Sequence, residues 1–275
     1  MHLRGVVDHQ GLGNQREKRR KLLPNSRKCE LNQFRGVKIK FFGSMSYGSD
    51  QFVLIAITLL LFLGVGHAKE VNYNYINFDG AKVSLKLDIR DSYLAHSNQD
   101  WHELLGHSMD TNEDYLEYTK MLFAKEEFPL RFLFEIFDQN LATVDDEYFI
   151  NTVVSFVQTL PYKIPPTEYK GKNTSGILAP ALCLAEGYGD CDTKSLLLAC
   201  ILAHKFDLIF LAGDHHAFIG IAYTPRLTDH FVTIDRVEYV LCELTSRWPL
   251  GKLPNSSIHE INKKKYSYIK LGYKS

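Results

Sequence analysis

The chain has 275 residues, of which 45% are hydrophobic and 23% charged, with 32 basic and 32 acidic residues. This composition is typical of one or two globular domains and excludes collagen-like, wholly disordered and multi-span membrane proteins. The charge is unevenly distributed: residues 1–44 hold 11 basic and 3 acidic residues, whereas residues 69–275 hold 21 and 28. The acidic main body argues against nucleic acid as a partner.

An uncharged apolar run of 14 residues, 52–65, precedes Gly66 and Ala68. It suits the hydrophobic region of a signal peptide better than a membrane span, which needs about 20 residues. The two small residues stand where signal peptidase needs them, which predicts cleavage after Ala68. The alternative is a signal anchor that holds the chain to the membrane through residues 52–67. Both interpretations export the rest of the chain to the periplasm or the extracellular space.

The region before the apolar run is basic and lacks periodicity. It is longer than the basic region of a normal signal peptide. One hypothesis is that the true start is Met45. The N-terminal region of the signal peptide would then be MSYGSDQ, which has no Lys or Arg. We divide the chain into a basic extension (1–44), a signal segment (45–68), an N-terminal hairpin and helical region (69–142) and a main domain (143–275).

The exported part begins with a predicted β-hairpin. Apolar and polar residues alternate on both sides of Asp79-Gly80, which predicts strands at about Val71–Phe78 and Ala81–Ile89. Residues 92–140 then show a broken helical pattern that carries no obvious chemistry.

A second helical pattern leads into the part of the chain that carries chemistry. Acidic residues followed by apolar positions at helical spacing predict an amphipathic helix that ends at Pro161. A loop rich in Pro, Gly, Lys and Thr covers residues 162–176. Asp190 is then placed to cap a helix that begins at Cys191 and is apolar nearly all round, as expected of a buried central helix.

Strand-like runs follow this helix. They are Asp207–Leu211, His216–Tyr223, His230–Asp235 and Glu238–Leu244. One buried helix ahead of several short strands joined by tight turns predicts an α+β fold with a mainly antiparallel sheet.

A cysteine in the first turn of a buried helix has a specific chemical meaning. The partial positive charge at a helix N-terminus favours the thiolate, and the free N–H groups there can hold an oxyanion. Cys191, between Asp190 and Asp192, is therefore the candidate nucleophile, and we expect its pKa to be low. The other cysteines are expected to react more slowly, and Cys183 and Cys242 are candidates for a disulfide in an oxidising compartment.

A thiolate nucleophile needs a base, and His215 and His216 stand at the start of a predicted strand. Only one of them can face the helix, because side chains alternate along a strand. His216 shares its face with Gly220, where a second backbone or a substrate can approach closely, and this favours His216. Glu243, a lone carboxylate in an apolar strand, is the candidate to orient the imidazole, and an edge-strand glutamate facing solvent is the alternative.

Three motifs follow one another along the chain: GDCDTKSLLLACIL, HAFIGI and CELTS. Together they resemble the Cys, His and Asp/Glu motifs of the transglutaminase-like superfamily, in its bacterial, papain-like cysteine peptidase branch. The resemblance extends to SFVQTLPY at Ser155–Tyr162 and to Pro249-Leu250-Gly251, and it covers about residues 143–255. It implies a papain-like core in which the cysteine helix packs on an antiparallel sheet, preceded by the hairpin and helices.

The resemblance also implies residue roles. Cys191 matches the nucleophile, and His216 matches the base because the motif runs from His through three small or apolar residues to Gly and a β-branched residue. Glu243 takes the place usually held by Asp. Gln158 matches a glutamine that donates to the oxyanion in papain-like enzymes, and a solvent-facing glutamine on an amphipathic helix is the alternative.

The implied reaction is acyl transfer from an amide of a protein or peptide substrate, through a thioester on Cys191. Release to water would make the chain a cysteine peptidase or amidase, which is the first prediction. The alternatives are a protein-crosslinking transglutaminase and a catalytically inactive transglutaminase-like binding module. We predict no cofactor and no metal, since the triad chemistry supplies its own nucleophile, base and oxyanion donors. The acidic run 110–114 lacks the Gly and the closing Glu of an EF-hand loop and is interpreted as a solvated turn.

Overall fold

The computed structural model describes residues 38–42, 68–105, 111–169, 171–174, 176–214, 216–263 and 266–272. The apolar run 52–65, and with it the predicted membrane attachment through residues 52–67, lies outside these residues. Within the described ranges, no helix is long and apolar enough to cross a membrane. The division of the chain into four regions stays a prediction.

The predicted hairpin is confirmed and belongs to a three-stranded antiparallel sheet. Strands β1 (Lys38–Phe42), β2 (Ala68–Ile76) and β3 (Lys82–Arg90) lie in the order β1-β3-β2. The chain reverses at Asp79-Gly80, where Gly80 has a φ of +88°, a left-handed conformation that glycine adopts without strain. The turn is closed by a hydrogen bond of 2.7 Å from the Asn77 N–H to the Ala81 carbonyl.

Four helices follow where helical patterns were predicted. They are α1 (Asp91–Leu104), α2 (Asn112–Glu126), α3 (Arg131–Asn140) and α4 (Asp146–Thr159). The interpretation of residues 110–114 as a solvated turn is wrong from Asn112 onward. Thr111 and Asp114 form a capping box, in which each side chain accepts the other residue's backbone N–H at 3.1 Å, and this starts α2. Helix α4 ends just before Pro161, as predicted.

The hairpin packs on α4. The rings of Tyr73 and Tyr75 lie 5.3 and 6.0 Å from the ring of Phe156, measured between centroids. Arg247, much later in the chain, donates to the Ile76 carbonyl at 2.6 Å. One hydrophobic cluster therefore extends from the hairpin into the residues that carry the candidate site.

Three short elements between α4 and the cysteine helix were not predicted. Strands β4 (Glu168–Tyr169) and β5 (Lys172–Asn173) pair within the predicted loop, and α5 (Pro180–Glu186) follows it. Helix α6 (Cys191–Leu202) begins at the predicted cysteine, and the Asp190 carboxylate caps it by accepting the Thr193 N–H at 3.1 Å.

A five-stranded antiparallel sheet follows α6. Its strands are β6 (Leu208–Gly213), β7 (Ala217–Ala222), β8 (Phe231–Ile234), β9 (Val237–Cys242) and β10 (Tyr266–Leu271), in the order β10-β6-β7-β9-β8. The four predicted strands are confirmed with small changes at their ends. Strand β10 and helix α7 (Asn255–Asn262) were not predicted.

The sheet separates two hydrophobic clusters. On one face Ala217, Ile219 and Ile221 of β7 pack in the large cluster that contains α6. On the other face Phe218 belongs to a smaller cluster, against which Ile258 of α7 packs. The predicted α+β fold, with a central helix that begins at the cysteine and packs on an antiparallel sheet, is therefore confirmed.

Candidate active site

Cys191 is the first residue of α6 and is almost fully buried. The preceding turn has no room for a side chain, because a Cβ on Gly189 would lie 3.0 Å from Thr193 and 3.1 Å from the Cys183 sulfur. The first N–H groups of an α-helix have no acceptor within the helix, so the Cys191 N–H lies where an oxyanion could be bound.

The immediate surroundings of the Cys191 sulfur are acidic. The thiol donates to Asp192 Oδ1 at 3.0 Å. Burial raises the pKa of the Cys191 thiol above its ordinary value, and the charge of Asp192 raises it further, against a smaller opposing effect of the Ala217 N–H. The pKa of Cys191 is thus raised, whereas the helix N-terminus alone was expected to lower it.

His216 and Glu243 form a partly buried pair. The distance from His216 Nε2 to Glu243 Oε2 is 3.0 Å, and Glu243 is 1% exposed. Glu243 follows β9 directly, and β9 lies between β7 and β8, so the alternative of a solvent-facing glutamate on an edge strand is wrong. The structure therefore brings together the predicted base and the predicted acid.

The Glu243 carboxylate has partners on both oxygens. Oε1 accepts the Thr245 N–H at 2.7 Å and the Thr245 hydroxyl at 2.6 Å, and Oε2 also accepts the Ser257 hydroxyl at 3.3 Å. Burial acts to raise the pKa of Glu243, but the hydrogen bond and the charge of His216, followed by the Thr245 bonds, outweigh it and lower the pKa to about 2. Glu243 is consequently held as a carboxylate.

The Ala217 N–H connects this pair to the cysteine. It contributes a hydrogen bond to the Cys191 sulfur, and Ala217 is the residue directly after His216. Since Nε2 of His216 is engaged by Glu243, Nδ1 is the ring nitrogen available to a thiol. His215 lies outside the described residues, so the choice between the two histidines rests on the contacts of His216.

The argument from strand faces that favoured His216 is wrong. The space over Gly220 is filled, since a Cβ there would lie 2.7 Å from Ile209 and 2.9 Å from Tyr239. Phe218, on the same strand face, packs away from α6, whereas Ala217 packs toward it. His216 lies just before β7 begins, and its side chain is set by Glu243 and by the Phe218 ring, 4.5 Å away between centroids.

Gln158 has a different role from the oxyanion donor that the resemblance implied. Its Nε2 donates to the Glu243 carbonyl and to the Trp248 carbonyl, each at 2.7 Å. An amide nitrogen has two hydrogens, and these bonds use both. Gln158 therefore connects α4 to the segment that carries Glu243, and its amide has no N–H left for an oxyanion.

Four site residues were missed by the sequence analysis in these roles. They are Asp192 beside the thiol, Thr245 and Ser257 on the Glu243 carboxylate, and Lys194, whose Nζ donates to the Leu244 carbonyl at 3.2 Å. Lys194 had a visible signal, since it is the single cation in a helix that was predicted to be buried. Ser257 had none, because α7 was not predicted.

The pair faces a cavity of about 450 Å³ that is lined by His216, Glu243, Thr245 and residues of α7. Tyr162 is 52% exposed and lies near Cys191. Partial burial raises the pKa of Tyr162, and the charge of Cys191 adds a smaller increase. Among the described residues no group of three or more His, Cys, Asp or Glu side chains is arranged to hold a metal ion. The described cysteines, including Cys183 and Cys242, are free thiols rather than a disulfide.

Comparisons with known proteins add little. No family model and no curated protein matches the chain. One similar solved structure is a protein from Parabacteroides distasonis described as a "putative protease", with 11% identity and a TM-score of 0.28. The match covers 68% of this chain and 41% of that one. A similarity of this size carries no argument about fold or function.

Proposed function

We propose that the chain is a transglutaminase-like thiol hydrolase, a cysteine peptidase or amidase that acts through Cys191, His216 and Glu243. The observation that carries the proposal is the pair of His216 and buried Glu243, 3.0 Å apart, beside a cysteine at the start of α6. Nucleophile, base and orienting carboxylate together form a catalytic triad suited to covalent acyl transfer.

The reaction begins with transfer of the Cys191 proton to Nδ1 of His216. The thiolate attacks the amide carbonyl carbon, and the Cys191 N–H stabilises the resulting oxyanion. Collapse breaks the C–N bond, and His216 returns its proton to the leaving amine, which leaves a thioester on the cysteine. His216 then takes a proton from water, and the resulting hydroxide attacks the thioester carbonyl carbon. Collapse breaks the C–S bond and releases a carboxylic acid, and His216 returns its proton to the Cys191 sulfur.

A second candidate function is that of a transglutaminase-like binding module without catalysis. The observation that favours it is the raised pKa of Cys191, since burial and Asp192 disfavour the nucleophilic thiolate. The intact pair of His216 and Glu243 favours the enzyme instead. The partly buried imidazole held by an ionised carboxylate is the arrangement that general-base catalysis requires.

We also propose that the enzyme is exported and acts on protein or peptide substrates in the periplasm or the extracellular space. Support comes from the apolar run 52–65 and from Ala68, the predicted cleavage point, at which β2 begins. Cleavage after Ala68 would also remove strand β1, which pairs with β3, and would leave the hairpin of β2 and β3. If the run is retained instead, it would attach the enzyme to the membrane through residues 52–67.

The test is labelling of the full chain with a thiol-directed probe, followed by profiling of a peptide library. We expect the probe to label Cys191, and we expect amide cleavage to be lost in Cys191→Ala. Cys200→Ala is the matched control, because Cys200 is a buried thiol in the same helix. Labelling of Cys191 without turnover of any amide would favour the binding module. Cleavage that persists in Cys191→Ala would refute the proposal.

A further inference from the structure

Lys194 is a buried charge that the proposed reaction does not use. It lies in α6 three residues after Cys191, and its side chain is 0% exposed. Lysine is almost never fully buried without partners, because removal of an ammonium from water is costly. Its presence inside the helix that carries the nucleophile therefore requires an explanation.

The contact that Lys194 makes leads to the other half of the site. Its Nζ donates to the carbonyl of Leu244, the residue directly after Glu243, at 3.2 Å. Gln158 holds the Glu243 carbonyl from α4. Two consecutive carbonyls beside the acid are thus held by side chains from two helices, and one of these helices also carries Cys191.

Lys194 also faces negative groups. Burial lowers its pKa, and the charges of Cys183, Glu243, Asp190 and Cys191 act in the opposite direction. A cation that these groups attract stabilises them in return, including a thiolate on Cys191.

The charges around the Cys191 thiol show why a cation would affect its ionisation. The groups around the Cys191 thiol are Asp190 and Asp192 from its own cap and helix, Tyr115 from α2, Tyr162 from the loop after α4, the proposed base His216 and the Ala217 N–H at the start of β7, and Lys194. Of these, the two carboxylates oppose the thiolate. Lys194, when protonated, adds a positive charge that favours the thiolate.

We propose that Lys194 is a positioning residue of this site: its ammonium ties α6 to the segment that carries Glu243 and stabilises the Cys191 thiolate. The inference rests on the proposed function, in which Cys191 is the nucleophile. It adds a residue that fixes the position of Cys191 relative to Glu243 and sets the pH at which the Cys191 thiolate forms.

The experiment measures the rate of Cys191 alkylation by iodoacetamide against pH, with mass spectrometry of the full chain. The variants are Lys194→Met, which removes the charge and the donor, and Lys194→Arg, which keeps both. Lys205→Met is the control, because Lys205 pairs with Asp146 at 3.1 Å and does not contact the site. Circular dichroism shows which variants are folded.

We expect Lys194→Met to move the alkylation profile upward by about one pH unit, a loss of about tenfold in rate at neutral pH. Lys194→Arg should recover much of the rate, and the control should keep the wild-type profile. An unchanged profile in folded Lys194→Met would overturn the inference, as would failure of both Lys194 variants to fold, since Lys194 would then serve the fold alone. Wild-type Cys191 that does not react would instead overturn the proposed function.

Discussion

The substitution Glu243→Gln tests the centre of the site, because it removes one charge and almost no volume. The His216 ring, the Thr245 backbone and hydroxyl, and the Ser257 hydroxyl all contact the carboxylate that is lost. A glutamine presents an NH2 group on one side, so at least one of these donors would face another donor. We therefore expect both stability and the orientation of His216 to suffer.

The size of the stability effect follows from the pKa. The pKa of Glu243 is lowered from 4.5 to about 2 in the folded chain. One pKa unit is worth about 1.4 kcal/mol, so the ionised carboxylate contributes on the order of 3 kcal/mol at pH 7. Because the folded pKa is the lower one, this contribution is present above about pH 4.5 and is lost as the pH falls toward 2. About 2 kcal/mol of it should be gone by pH 3.

The assay is urea unfolding of wild type and Glu243→Gln at pH 7, 5 and 3, with Glu238→Gln as the control. Glu238 is an exposed carboxylate on β9, the strand that leads into Glu243, so its removal should change the free energy of unfolding little at any pH. We expect the difference between wild type and Glu243→Gln to be on the order of 3 kcal/mol at pH 7 and to shrink on acidification. A difference that is the same at pH 7 and pH 3 would refute the argument that the His216 pair holds Glu243 ionised.

Three further predictions concern the residues around the pair. Asp192→Asn should raise the rate of Cys191 alkylation at neutral pH by about tenfold, because the carboxylate that raises the thiol's pKa is replaced by a neutral amide, and an unchanged rate would contradict this. Burial, followed by the charge of Asp192, raises the pKa of Asp190 to about 6, so its deprotonation opposes folding and stability falls as the pH rises from about 4 to 6. Relative to wild type, the free energy of unfolding of Asp190→Asn should thus increase by about 2 kcal/mol between pH 4 and pH 7, as measured by thermal unfolding. A difference that does not change with pH would contradict this prediction. His216→Ala should reduce amide cleavage by about 10²-fold or more and His215→Ala only modestly, and the reverse order in a steady-state assay would show that His215 is the base.

Much of the fold could be predicted from local patterns in the sequence. The hairpin at Asp79-Gly80, the start of α6 at Asp190 and four strands of the sheet each depend on residues that are neighbours in the chain. Helix α7 was missed, and it has no side-chain cap to mark where it begins at Asn255. Strand β10 pairs with β6, far away in the sequence, so no local turn marks it.

The site shows the same division between local and distant information. Motif order was enough to name His216 and Glu243, and the structure brings these two together. The local rule that a helix N-terminus favours a thiolate was not enough, because burial and Asp192 act on Cys191 in the opposite direction. The partners of Gln158 come from residues 85 and 90 positions away, which no spacing along the chain reveals.

The packing of the N-terminal hairpin on α4 has a consequence for dissecting the protein. Arg247 follows the acid motif and is bound to the hairpin's backbone, while Tyr73 and Tyr75 cover Phe156. A fragment that starts at residue 143 would contain every residue of the proposed triad yet leave that aromatic face exposed and the arginine without its acceptor. The recombinant fragment 143–275 should therefore aggregate. Co-expression of residues 69–142 as a separate chain should restore its solubility.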